Sequence, residues 1–170
     1  RRNQDVGQGL VADACRPWPL ADASVDLIIS RSVIEHLPDT EAFADECLRV
    51  LKPGGYSVHL LPGRNAPFSL LNRILPARWS SGLLRWAFPN KIDELGFPAY
   101  YQNCAYPDIE RLFKRHGFEV ESVAFRYYQS TYFVVLFPVY LISVLYDLMV
   151  WKLKLRRLSS QLLIVVRRPT

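Results

Sequence analysis

The chain has 170 residues, half of them hydrophobic, and a formal net charge of +5. That length and composition fit one domain with a real core and exclude an intrinsically disordered chain. Its three cysteines, Cys15, Cys47 and Cys104, lie far apart with no Cys-x-x-Cys pair, which argues against a disulfide framework and against a zinc site.

Residues 1–8 are polar and patternless. Residues 9–12 form a short apolar piece ending at Asp13 and read as the end of a strand. Pro17-Trp18-Pro19 and Ala21-Asp22-Ala23-Ser24 are loop-like. Residues 25–30, Val-Asp-Leu-Ile-Ile-Ser, have strand length and the apolar run expected of a strand buried on both faces. A helix is predicted from Pro38, with Asp39 as N-cap, Glu41 in the first turn and Phe43, Cys47, Val50 and Leu51 as its buried stripe. Lys52 favours the C-terminal end of that helix, and Pro53-Gly54-Gly55 stops it in a tight turn before a strand at 56–61.

Alternating short apolar strands and amphipathic helices imply an α/β fold with a parallel sheet. Residues 62–104 depart from that rhythm. They carry several prolines, glycines and aromatics, with short helices expected at 69–75 and 82–87. Pro107 suits the first turn of a further helix whose inner face is Ile109, Leu112, Phe113 and His116, closed by Gly117. Strands are expected at 118–126 and 161–166. Between them, residues 132–151 are almost wholly apolar, with Asp147 the only charge. That length could span a bilayer, but Pro138 and Asp147 interrupt it, and a crossing would separate the last two strands. Tyr140, Ser143, Asp147 and Lys154 fall on one narrow polar stripe. Helices lying in a membrane interface, or forming a greasy substrate entrance, are the expected use of 132–157, with packing against the domain or a partner subunit as the alternative.

Charge is uneven along the chain. Acidic residues crowd the first third and none follows Asp147, whereas Lys152, Lys154, Arg156, Arg157, Arg167 and Arg168 all lie beyond it. This points to an anionic partner at the C-terminal end, with a solvated helix end as the plain alternative. The basic residues interleave with Leu and Val rather than with stacking aromatics, so no nucleic acid is expected. No signal peptide is visible, and reduced thiols fit a cytoplasmic setting, peripheral on the membrane face if 132–157 docks there.

Four pieces in fixed order carry a resemblance: Val11-Ala12-Asp13-Ala14, then Val25-Asp26-Leu27-Ile28-Ile29-Ser30, then Glu35-His36-Leu37, then Arg49-Val50-Leu51-Lys52-Pro53-Gly54-Gly55. Together they resemble the middle of a class I S-adenosylmethionine (SAM) dependent methyltransferase of the type-11 kind. The resemblance implies a Rossmann-like doubly wound sheet, N-terminally truncated, with a hydrophobic helical insertion before the last strand. It implies one partial domain: 1–61 as the cofactor-side core, 62–104 as a substrate lid, 105–131 and 158–170 as the C-terminal core, and 132–157 as interfacial helices. It implies SAM as cofactor, with Asp13 and Ala14 reading the adenine (a loop-capping aspartate is the alternative for Asp13) and Ser30 and Arg31 lining the methionine part. His36 is the candidate general base, with a histidine that merely fixes the turn as the alternative. Arg64, Tyr100 and Tyr101 are candidate contacts for a small, lipophilic acceptor, with lid packing as the alternative. No metal is expected. The glycine-rich loop and the ribose-binding acid of such enzymes have no counterpart in residues 1–170. Both would lie upstream of Arg1, as expected of a fragment, and the isolated chain is then expected to bind SAM poorly. A strand at 9–12 would lack a neighbour, and the strand at 25–30 would become an exposed apolar edge. A non-catalytic membrane- or partner-binding module built from a truncated methyltransferase is the competing reading.

Overall fold

The computed structural model describes residues 7–74, 99–134 and 136–170; the helix expected at 82–87 lies outside them. Four strands form one open sheet. They are β1 (Val25–Arg31), β2 (Leu51–Pro62), β3 (Glu119–Arg126) and β4 (Gln161–Arg167), in the spatial order β1-β2-β4-β3. β1 runs parallel to β2, with Ile28 opposite Ser57 and Ser30 opposite His59. β4 is antiparallel to both its neighbours, with Val58 opposite Val165 and Val123 opposite Ile164. The carboxyl ends of β1, β2 and β3 therefore share one edge of the sheet.

Helix α1 (Thr40–Val50) begins where the sequence predicts. Asp39 caps it by accepting a hydrogen bond from the Ala42 backbone N–H at 3.0 Å. Its buried face is Phe43, Ala44, Cys47 and Val50. Helix α2 (Pro67–Ile74) and helix α3 (Asp108–Arg115) follow. α3 buries Ile109, Leu112 and Phe113 and ends at Gly117, whose φ of +85° only glycine adopts without strain. Helix α4 (Phe137–Lys152) occupies most of the apolar insertion.

The core lies between one face of the sheet and helices α1 and α3. Leu61, Leu162, Ile164 and Val166 meet Phe43, Cys47, Ile109, Leu112 and Phe113 in one cluster. At its centre His59 stacks on Phe113 at 5.1 Å between ring centroids and meets Phe43 edge-on at 5.5 Å. Each side chain here is fully buried, worth about 1.5–3 kcal/mol apiece for the large apolar groups.

Three local expectations need correction. Residues 9–12 are not a strand: they run as exposed loop, with Leu10 and Val11 in solvent. No strand pairs with them among the described residues, and an apolar run without a ladder has nothing to hold it extended. β1 is not buried on both faces. Among the described residues it is an edge strand, and Ile29 is 70% exposed with Leu27 beside it. Lastly, α1 hands over to β2 directly at Leu51. Pro53-Gly54-Gly55 is a bulge within β2, opposite the register jump between Val25 and Leu27. Gly54 has φ +79°, and a Cβ on Gly55 would stand 2.9 Å from the Lys52 carbonyl.

Candidate functional site

The carboxyl edge gathers most of the chemistry-bearing residues. β1 ends at Ser30 and Arg31, and Ser32, with φ +53°, donates its N–H to the Leu60 carbonyl at 2.9 Å. The chain then turns through a 3-10 helix at Ile34–His36 into the cap of α1. β2 ends at Pro62, beyond which Gly63 passes so close to Ser159 that a Cβ would lie 1.9 Å from its carbonyl oxygen.

Ser30 does not present a free hydroxyl. Its Oγ shares a 2.7 Å hydrogen bond with His59 Nδ1, and Ser57 Oγ meets His59 Nε2 at the same distance. Burial pushes the His59 imidazole down to about 3, so it is neutral at ordinary pH. Arg31 is exposed at the strand end.

Glu35 and His36 form the next layer. Glu35 is buried, and its Oε2 has no hydrogen-bond partner. Burial raises its pKa, partly offset by its own backbone, by His36 and by Ser32. His36 is half-buried, with Nε2 3.9 Å from Glu35 Oε1. The backbone carbonyl of Glu35 accepts from both Tyr100 and Tyr101, at 2.8 and 3.1 Å, which ties the end of the 62–104 segment to this turn. Tyr100 is exposed, whereas Tyr101 is buried in the core cluster. The Arg64 backbone N–H donates to Cys104 at 2.7 Å. Burial, chiefly, raises the Cys104 thiol, with Glu35 adding to the shift and Arg64 opposing it.

Asp13 and Ala14 sit in an exposed loop held against the same corner. Cys15 Sγ contacts the carbonyl of Asp39 at 3.3 Å, and the Trp18 N–H donates to Glu46 of α1 at 2.7 Å. Asp13 Oδ1 accepts from the Cys15 N–H at 2.9 Å, a loop-capping bond, and Oδ2 lies 3.5 Å from Arg16. The Ala14 carbonyl accepts from the Trp18 indole at 3.3 Å.

Sequence reasoning passed over a cavity of about 80 Å³ farther along the edge, at the ends of β2 and β3. Pro62, Phe68, Arg126, Tyr128, Gln129 and Gln161 line it. Gln129 is fully buried and accepts from the Phe68 N–H at 3.3 Å. The only signal for it was a polar Gln-Ser pair placed just before the apolar insertion.

Known proteins resemble the chain in two ways. Residues 1–59 match the methyltransferase-domain family model. Among solved structures, a SAM-dependent methyltransferase from Methanosarcina mazei superposes with a TM-score of 0.54 at 16% identity, covering 98% of this chain and 71% of its own. Another from Mesorhizobium loti gives 0.53 at 17% identity, covering 92% and 67%. The fold is that of the class I SAM-dependent methyltransferases. The sheet order and the antiparallel last strand agree with that fold. A Mycolicibacterium smegmatis relative named "Probable S-adenosylmethionine-dependent methyltransferase" is 40% identical over 38% of this chain and 26% of its own length. A Methylococcus capsulatus protein named malonyl-[acyl-carrier protein] O-methyltransferase is 45% identical over 29% of this chain and 18% of its own. The chain spans about a quarter of the length of the curated relatives it matches.

Proposed function

We propose that this chain is part of a SAM-dependent methyltransferase that acts on a lipophilic or membrane-associated small molecule. The observation that carries this reading is the convergence of the Asp13 loop, the end of β1 and the Glu35–His36 turn at one corner of the carboxyl edge, where open α/β sheets bind their ligands.

The residues present fit one end of the cofactor. Asp13 has an exposed carboxylate suited to accept from the adenine amine, and the Ala14 N–H would donate to the ring. The backbone of Ser30 and Arg31 would line the methionine part, kept in place by the Ser30–His59 bond. No glycine-rich loop occurs in the sequence to hold the amino-acid end, so weak binding by the isolated chain is the expectation. Bound SAM would supply a methyl group already activated on sulfur, which leaves the protein the tasks of placing the acceptor and taking its proton. His36 would take that proton, its Nε2 standing 3.9 Å from Glu35 Oε1. Arg64, Tyr100 and Tyr101 would hold the acceptor, Tyr101 by fixing the wall rather than by touching it. The name of the malonyl-[acyl-carrier protein] relative supports an oxygen acceptor, and the apolar helix next to the edge cavity supports a lipophilic one.

The second reading, a non-catalytic membrane- or partner-binding module, draws on the absence of a glycine-rich loop from the sequence and on the outer edge of β1, which no strand pairs among the described residues. Calorimetric titration of SAM separates the two. The chain and the full open reading frame that contains it are titrated side by side, with Asp13→Ala as control. Binding by the longer protein, weakened at least about ten-fold by Asp13→Ala, supports the enzyme. No binding by either rejects it.

A further inference from the structure

Helix α4 is packed inside out. A helix on a soluble domain turns its apolar stripe inward and its polar residues to water. In α4 the buried residues are Ser143, Asp147 and Val150. Asp147 Oδ2 accepts from the backbone N–H groups of Gln129 and Ser130, both at 2.9 Å, and Ser143 donates to the Tyr140 carbonyl at 2.7 Å. Of the polar stripe foreseen in the sequence, Ser143 and Asp147 are thus turned to the protein, whereas Lys154 lies beyond the helix and is exposed. The outward positions are large and apolar: Phe137 is 73% exposed, Ile142 67%, Leu145 60% and Trp151 63%. Val134, Leu136 and Leu153 prolong the same surface. So large a contiguous apolar patch marks an interaction surface.

Charge selects the occupant. From Ser122 to Thr170 the sole acidic side chain is Asp147, and it is buried. Lys152, Lys154, Arg156 and Arg157 stand exposed at the C-terminal end of the helix. Arg156 is oriented there by stacking over Tyr106 and Phe125, at 5.7 and 5.5 Å to the ring centroids. An antiparallel second copy would offer these cations no carboxylate from its own α4 face. A layer of anionic headgroups over hydrocarbon satisfies the apolar face and the cations together. Among the described residues no helix is long and apolar enough to cross a membrane. The 16 residues of α4 reach only about 24 Å, short of the ~30 Å hydrocarbon core.

We propose that α4 docks the protein in the plane of an anionic bilayer surface. Phe137, Ile142, Leu145 and Trp151 enter the acyl boundary, and Lys152, Lys154, Arg156 and Arg157 meet the lipid phosphates. Asp147, on the opposite, inward face, fixes the helix to Gln129, a wall of the edge cavity. The inference goes beyond methyl transfer and does not rest on it, because it requires no cofactor.

Co-sedimentation with large unilamellar vesicles, without SAM, tests it. Vesicles of equimolar phosphatidylglycerol and phosphatidylcholine should pellet the chain, and pure phosphatidylcholine should bind it at least about ten-fold more weakly. The double variant Ile142→Asp, Leu145→Asp and the double variant Lys152→Gln, Lys154→Gln should each lose about ten-fold or more on the anionic vesicles. Both alter exposed positions, and an unchanged circular dichroism spectrum confirms that they fold. Failure to pellet with anionic vesicles overturns the proposal, as does pelleting that neither variant weakens. A dimer in light scattering that Ile142→Asp dissociates, without vesicle binding by the parent, assigns the face to a second copy instead. SAM titration is read separately, so loss of the enzyme reading leaves this result standing.

Discussion

Acid should unfold this protein through His59, and the size of the effect follows from its surroundings. The imidazole is fully buried between Ser30 and Ser57, stacked on Phe113 and met edge-on by Phe43. Burial lowers its pKa from 6.5 in the unfolded chain to about 3. Because the folded value is the lower one, the unfolded state takes up the proton first as pH falls. Stability is therefore full above pH 6.5 and is lost progressively towards pH 3. The loss approaches about 1.4 kcal/mol per pH unit once below 6.5, or about 2 kcal/mol by pH 5. His59→Gln keeps a donor and an acceptor between the two serines but removes the titration. It should cost about 1–2 kcal/mol at pH 7 through lost ring contacts. Urea denaturation followed by circular dichroism at pH 7 and pH 5 gives both slopes. The parent should lose about 2 kcal/mol more than the variant over that interval. Carboxylates and His116 contribute equally to both proteins and cancel. Equal losses in parent and variant would show that His59 is not the buried neutral group described here.

Three further perturbations test other joints of the fold. Asp147→Ala strips two buried N–H groups of their acceptor and should cost about 2–4 kcal/mol in denaturant unfolding, with Asp147→Asn recovering part of it. Gly63→Ala drives a Cβ into the Ser159 carbonyl and should cost about 3 kcal/mol or prevent folding, read as a drop in Tm or in soluble yield. His116 is pulled down by burial but raised more by Glu41 and Asp45, at 2.5 and 2.6 Å, for a net increase. Its stabilisation is thus complete below the unfolded value of 6.5 and fades as pH rises through the higher folded value. Both carboxylates are well exposed, so His116→Gln should cost only about 0.5–1 kcal/mol at pH 6 and less at pH 8, measured by urea titration at each pH.

Most of the scaffold was legible because local signals agreed with one another. Asp39 ahead of an apolar stripe announced α1, Pro107 and Gly117 bracketed α3, and period and length marked β1, β3 and β4. What misled was context that short segments do not carry. Residues 9–12 have strand composition, but a strand exists only against a partner, and none of the described residues provides one. β1 has the run of a doubly buried strand, yet burial depends on what lies over it. The Pro53-Gly54-Gly55 bulge was read as a turn because glycine signals a kink without saying whether the ladder resumes on the far side. At the site, the Glu35–His36 motif drew attention to the histidine, while burial gives the adjacent carboxylate the unpartnered oxygen. Gln129 was invisible because its role arises from Phe68 and Asp147, both remote in sequence.

Backbone chemistry separates the uses of the apolar surfaces that β1 and α4 expose among the described residues. β1 ends the sheet with Leu27 and Ile29 exposed, so its outer edge carries peptide groups that no strand pairs among the described residues. Hydrocarbon offers no hydrogen bonds, and each unpaired peptide group would cost several kcal/mol there. That edge can be covered only by another polypeptide backbone. α4 satisfies its own backbone internally and turns its one carboxylate inward onto Gln129 and Ser130. Of the two surfaces only α4 can enter lipid without stranding a polar group, and it is also the one that carries the cations.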